Sequence, residues 1–384
     1  MAFLSCRRSV KKQMNWRFLL AVGILSGTII GAGVFSLPYI FSVTGAVYGL
    51  ICLVVFAAVY AVTYSMYADL LLLETKRHDF LFLAKKHLPP AVSPFANAVV
   101  LGGLVFALVV YLALIPSFVF FALGVSGWWV VFLFWLFSSL FLFIKTDSLG
   151  VAEIIGIVSI IAAVAFMMFL GFRFSFGRVN FLPSPFNSAM FFLPFGPLLF
   201  SFAGRSALGS VVEVWREAKS KLRRFSIKSA ITAGVFIPAA VYILFIFSVL
   251  KIAPAASEDA ISALLFLPLY AKTIIGIVGF LTIWTSYVML ESNVKNILVY
   301  DARVPKILAF GIPLVFPLVL FAAGFNNFLE TISIAGGVFV AIESIVVVWM
   351  WRRAFKNSPR RPLTIPLFLI FGIAFLYAVS RVFV

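Results

Sequence analysis

The chain is divided into eleven apolar runs, near 18–42, 45–72, 94–123, 128–144, 149–172, 189–213, 226–250, 265–290, 306–324, 328–351 and 363–382. About 20 apolar residues carry a helix across the hydrocarbon core, so these runs have, or approach, the length of a membrane span. With 64% of its 384 residues apolar and 11% charged, the chain lacks the polar side chains needed to coat a soluble globule. Lipid offers no partner for open backbone, which leaves helices for runs of this length. The expectation is an all-α integral membrane protein with 11 transmembrane helices. Soluble enzymes, disordered segments and disulfide scaffolds are disfavoured. No nucleophile–base–acid grouping appears, so no enzyme is expected.

The net charge of +17 would suggest nucleic acid in a soluble protein, but here the position of the charges between the runs matters more. With the N-terminus inside, 24 of the 30 basic residues fall in inner segments and five in outer ones, with Arg205 inside a run. That asymmetry predicts a cytoplasmic N-terminus, an odd number of spans and an outer C-terminus in the cytoplasmic membrane. The partners expected are the lipid bilayer and a small molecule, with no nucleic acid and no obligate protein partner. Cys6 and Cys52 give no disulfide framework, and His78 and His87 give no metal cluster. The first run follows a basic tail (Arg7, Arg8, Lys11, Lys12) but outlasts a signal-peptide core, so it reads as a retained helix.

Two runs carry helix breakers near mid-membrane. The first contains Gly27-Thr28-Ile29-Ile30-Gly31-Ala32-Gly33, and the sixth contains Ser201-Phe202-Ala203-Gly204-Arg205-Ser206-Ala207-Leu208-Gly209, below Pro194 and Pro197. Each glycine weakens a helix by about 1 kcal/mol relative to alanine and admits close approach to the main chain. Such runs also serve plain helix packing in lipid. Their matching positions in the first and second groups of five runs point instead to an inverted-repeat transporter, because an odd repeat unit must reappear upside down. The predicted organisation is a basic tail over 1–17, repeats over 18–172 and 189–351, and an extra helix over 363–382. A broken helix offers unpaired N–H groups at one new end and unpaired C=O groups at the other. A carboxylate suits the amides of Gly31, Ala32 and Gly33, and an ammonium suits carbonyls around Thr28 and Ser201 to Ala203. The substrate expected is therefore an amino acid.

The string Gly27-Thr-Ile-Ile-Gly-Ala-Gly-Val-Phe-Ser-Leu-Pro38-Tyr39 resembles the first helix of the amino acid–polyamine–organocation superfamily. It is most similar there to the hydroxy and aromatic amino acid permeases and related neutral amino acid transporters. The string Leu199 to Gly204, followed by Glu213 and a basic loop, is similar to that superfamily's sixth helix. The resemblance implies a five-plus-five inverted repeat with broken helices 1 and 6, one extra C-terminal helix, and cation-coupled uptake of a neutral or aromatic amino acid. The alternative is a sensor of the same fold that binds amino acids without moving them. Arg205 stands where the superfamily varies, so the identity of the substrate does not carry over.

Coupling to Na+ or H+ is expected, with no other cofactor. Thr285 and Ser286 in the eighth run offer hydroxyls, and the resemblance implies that carbonyls of Gly27 and Ile30 complete a sodium site. Equally, such hydroxyls commonly bond their own helix. Arg205 pairs with substrate carboxylate or with an acid. Glu343 relays a proton, faces a wet crevice or partners Arg205. Asp69 and Glu153 read as solvated, and Tyr111, Phe200 and Phe202 read as aromatic site residues. Trp128 and Trp129 read as interfacial anchors. The stretch 77–92 predicts a short interfacial helix with Phe80, Leu81, Leu83 and Ala84 on one face, and the stretch 174–188 (Pro183, Pro185) predicts a cap over the outer vestibule.

Overall fold

The structure is a computed structural model that describes residues 2–75, 80–143, 149–173, 188–218, 226–253 and 255–382. His78, Lys145, 174–187 and 219–225 lie outside the described residues, as do the side chains of Cys6, Arg7, Arg8, Lys11, Lys12 and Glu153. All regular structure among the described residues is helical. Seven helices are long and apolar enough to cross a membrane, or eight when the bent pair Trp16–Ile29 and Ala32–Thr44 counts as one. The fourth and ninth runs appear as shorter apolar helices, at Trp128–Phe143 and Lys306–Ala322, and the fifth run forms the helix Leu149–Arg173.

The helices are α1 (Ala2–Ile29), α2 (Leu37–Thr44), α3 (Ala46–Leu73), α4 (Phe80–His87), α5 (Ser93–Leu123), α6 (Trp128–Ser139), α7 (Leu149–Arg173) and α8 (Ser188–Phe191). They continue as α9 (Phe195–Ser201), α10 (Leu208–Ala218), α11 (Ile227–Ile252), α12 (Leu269–Asn296), α13 (Lys306–Ala322), α14 (Phe328–Ile334), α15 (Ala341–Ala354) and α16 (Thr364–Val382). The basic tail is thus part of α1 rather than a separate element.

Large apolar side chains stay exposed along the bundle, among them Leu123, Trp128, Ile307 and Leu376. That is the surface of a protein solvated by lipid. Lipid is as apolar as leucine, so helices associate there by close packing and hydrogen bonds rather than by hydrophobic exclusion. Small residues sit where the packing is tightest. A Cβ on Gly276 would lie 2.4 Å from Ala122 Cβ, and one on Gly234 would lie 2.8 Å from a Leu25 methyl. The residues Ala335–Val340 form a π-helical turn between α14 and α15. A Cβ on Gly336 would lie 1.9 Å from the Gly196 carbonyl oxygen, so this turn brings main chain against the start of α9.

The stretch between α3 and α5 forms α4, and all four of its named apolar residues are buried in protein. It packs against α5 and α15, the latter ending in Arg352 and Arg353. Asp69 is not merely solvated. It accepts from Arg360 at 2.9 Å and from the Trp351 indole at 3.1 Å, tying α3 to the segment after α15. Lys86 pairs with Glu74 at 2.6 Å, and Arg216 donates to the Leu71 carbonyl at 2.7 Å, which caps the last turn of α3.

Candidate functional site

The first break begins where α1 ends at Ile29. Gly31 is extended at φ −141° and ψ −155°, and a 3₁₀ turn over Ala32–Ser36 leads into α2. The two helical segments meet at 52°. Pro38 has no N–H to continue a ladder from the preceding turn, and it stands at the start of α2, where that donor is not needed. The second break begins where α9 ends at Ser201. Gly204, at φ −149° and ψ 17°, leads into a 3₁₀ turn over Arg205–Ala207 and then α10. Both breaks fall inside the strings that the sequence marks.

The breaks face each other. A Cβ on Gly33 would lie 2.6 Å from Ser201 Cα, and one on Gly204 would lie 2.5 Å from an Ile29 side-chain carbon. Glycine is needed at both positions because the opposing chain is already in contact.

The carbonyls of the breaks are not bare, which corrects the expectation drawn from the sequence. The Tyr242 hydroxyl lies 2.8 Å from the Ile29 carbonyl and 2.7 Å from the Ser201 carbonyl, so that its one hydrogen is shared between the ends of α1 and α9. Tyr64 donates to the Phe202 carbonyl at 2.6 Å and accepts from the Gly204 amide. Tyr60 donates to the Leu199 carbonyl at 2.7 Å. The cause is the cost of an unpaired main-chain group in a dry interior, which these phenols remove. Nothing in the glycine strings signals them. The spacing of Tyr60, Tyr64 and Tyr67 along one face of α3 is the available signal, since a buried phenol needs a partner. Tyr242→Phe is expected to cost about 1–3 kcal/mol, the penalty for a carbonyl losing its donor. A melting temperature in detergent equal to the native one would show that other groups meet these carbonyls.

The remaining site residues divide into two groups. Tyr111, buried on α5, brings its hydroxyl close to Ser286 and to the Ala32 main chain. A Cβ on Gly31 would lie 3.1 Å from that hydroxyl. The Ala32 amide, Tyr111 and Ser286 therefore meet at the first break. Other hydroxyls bond their own helices. Thr28 donates to Ile24 and Thr285 to Leu281, each at 2.9 Å, and Ser201 donates to Pro197 at 2.7 Å. Phe202 is fully buried between the rings of Tyr60 and Tyr242, at 5.8 and 5.6 Å, whereas Phe200 and Ala203 are half-buried. Gly27 is half-buried and Ile30 buried at the end of α1.

Arg205 turns from the break toward α4. It forms an ion pair with Glu343 of α15, and its guanidinium lies over the Phe80 ring at 4.6 Å and the Tyr67 ring at 5.6 Å. Of the partners that the sequence allows for Arg205, the acid is the one in contact.

The sequence profile of the tryptophan/tyrosine permease family matches residues 14–382. The chain belongs to that family. It is a multi-pass membrane transporter of amino acids and not an enzyme, within the amino acid–polyamine–organocation group that its first and sixth runs resemble. Two solved structures share its fold. MhsT in complex with L-phenylalanine matches with a TM-score of 0.61 and 14% identity, over 94% of this chain and 98% of that one. Mhp1, a nucleobase-cation-symport-1 family transporter, in a closed conformation with bromovinylhydantoin bound, matches with a TM-score of 0.57 and 12% identity, over 96% of this chain and 92% of that one. No curated protein matches in sequence.

Proposed function

We propose that the chain is a cation symporter for an aromatic amino acid, tryptophan or tyrosine foremost, working by alternating access in the cytoplasmic membrane. In this reading the eight long spans, α7 and the two shorter apolar helices make eleven crossings, as a five-plus-five inverted repeat with α16 added. The observation that carries the reading is the meeting of the two helix breaks, Gly33 against Ser201 and Gly204 against Ile29. Main chain interrupted at membrane depth is tolerated only where protein or a wet cavity covers it, and transporters put their substrates there.

The substrate carboxylate is assigned to the amides of Gly31, Ala32 and Gly33, with Tyr111 closing over them. The ammonium is assigned to the second lone pairs of the carbonyls at Ser201 and Phe202, whose first lone pairs accept from tyrosine. A sodium ion would take oxygen donors, and Ser286, next to the first break through Tyr111, fits that role better than Thr285. The family's named substrates and the phenylalanine bound to MhsT support an aromatic substrate.

Uptake of labelled tryptophan, tyrosine and phenylalanine into proteoliposomes, with sodium and pH gradients imposed separately, tests this. Saturable uptake driven by one gradient is expected. Saturable binding with no counterflow would make the chain a sensor.

A further inference from the structure

The sequence reading ends the eighth run at residue 290, but α12 continues to Asn296 and carries Glu291 and Lys295 into protein. Glu291 is 0% exposed. Its Oε1 accepts from the Ser139 hydroxyl at the end of α6, at 3.2 Å, and its Oε2 has no partner. The end of α6 and this stretch of α12 carry other buried polar atoms without partners: the Ser138 and Ser292 hydroxyls, the Tyr287 hydroxyl and the Trp284 indole N–H. Buried polar groups are nearly always paired, and five orphans shared by the end of α6 and three turns of α12 are an exception that needs a cause.

We infer that Glu291 is the proton-carrying group of the transport cycle, loaded and unloaded through the hydroxyls of Ser138, Ser139, Ser292 and Tyr287. The inference rests on the reading of the chain as a cation-coupled transporter. An ionised carboxylate in a dry interior with an open oxygen is costly, and a bound proton removes that cost. The proton then gives the carboxyl a donor that a serine hydroxyl can accept. A metal ion fits worse. The Lys295 ammonium, one turn along, donates to the Leu142 carbonyl at 2.9 Å and adds positive charge to the same cluster. Two of the orphans, the indole and the phenol, are hydrogen donors as well.

The surrounding groups leave Glu291 the titratable acid of this cluster. Tyr287 and Lys295 lie on its own helix. The end of α6 and the turn after it supply Ser138, Ser139 and the Leu142 carbonyl, and α13 meets the cluster through Phe310, 5.3 Å from the Lys295 ammonium. Tyr111 on α5 is turned to Ser286. The α7 side chain at Glu153 lies outside the described residues. Glu343, another carboxyl within the bundle, holds Arg205. Glu291 also shares α12 with Ser286, five residues and about 7.5 Å of helix rise away, so its loading and the break move on one rigid element.

The test uses the full chain in proteoliposomes with a trapped pH-sensitive dye. Native protein is expected to bring in protons with tryptophan or tyrosine and to accumulate substrate about tenfold per imposed pH unit, the ratio that one coupled proton supports. Glu291→Gln is expected to lose both while counterflow exchange persists, and Glu291→Asp to keep coupling with a displaced pH dependence. Glu291→Gln that still accumulates substrate on a pH gradient overturns the inference. Native counterflow that is driven by sodium alone also overturns it and leaves the transport reading standing. Absence of any native counterflow removes both. Should neither variant fold, a membrane-permeant carbodiimide, which adds to protonated carboxyls, decides on native protein. An adduct at Glu291 that alkaline pH suppresses supports the inference, and adducts only at other carboxyls overturn it.

Discussion

Glu343→Ala is expected to destabilise the protein by about 3–5 kcal/mol, because it leaves the Arg205 guanidinium charged inside the bundle without its acid. Burial makes the loss large. The side chains are 12% and 17% exposed, and the other groups over the guanidinium include the ring faces of Phe80 and Tyr67. Ring faces lower the energy of a cation but do not neutralise it. Arg205→Met is expected to cost less, since the Glu343 carboxyl it strands can take up a proton, as a stranded guanidinium cannot lose one, and methionine keeps much of the stem that packs under α4. Combining Arg205→Met with Glu343→Leu should recover most of the loss, as buried pairs exchanged for apolar residues of similar size often do. Thermal melting of the two single variants and the double variant in detergent measures the coupling. Native-like stability of Glu343→Ala would mean that Arg205 has a second acid, and the tie between the second break and α4 would fall.

The sequence located both breaks because glycine and proline act within a few residues of themselves. Gly31 and Gly204 sit in non-helical backbone inside the strings read as weak. Local signals say nothing about distant partners. Tyr60, Tyr64 and Tyr242 reach carbonyls 139, 138 and 213 residues away, and in a chain with 17% aromatic residues a tyrosine on an apolar helix reads as packing. Glu291 and Lys295 were hidden for a different reason. Hydropathy ends a span at its first charge, whereas here the helix runs on and the end of α6 covers both side chains. The membrane class was legible from composition alone, because no arrangement of 11% charged residues coats a soluble protein of 384. The two shorter apolar helices show the limit of counting spans by length, since α6 gives way to a 3₁₀ turn and α13 carries Pro313 and Pro317.

Gly33→Ala is expected to abolish uptake in a protein that still inserts. One methyl group suffices, because the added Cβ would stand 2.4 Å from Ser201 Oγ, 2.6 Å from its Cα and 2.9 Å from its Cβ. The Ser201 hydroxyl can rotate away, but its Cα belongs to the last turn of α9 and can yield only by moving that turn. Overpacking of this kind costs about 1–3 kcal/mol and shifts backbone. The shift falls on the two groups that hold the breaks together. The Tyr242 hydroxyl needs the Ile29 and Ser201 carbonyls 2.8 and 2.7 Å away, and Tyr111 needs the Ala32 main chain. A displacement that separates the breaks therefore disturbs both of the positions proposed for the carboxylate and the ammonium of the substrate. Gly23→Ala, in the helix that precedes the break and with nothing within 4 Å of the added Cβ, is the control, and it is expected to gain up to about 1 kcal/mol of helix stability with uptake unchanged. Labelled-tryptophan uptake by the two variants, normalised to inserted protein, decides between a site at the breaks and a general intolerance of substitution in the first run. Native uptake by Gly33→Ala would show that the approach of the two breaks is packing alone.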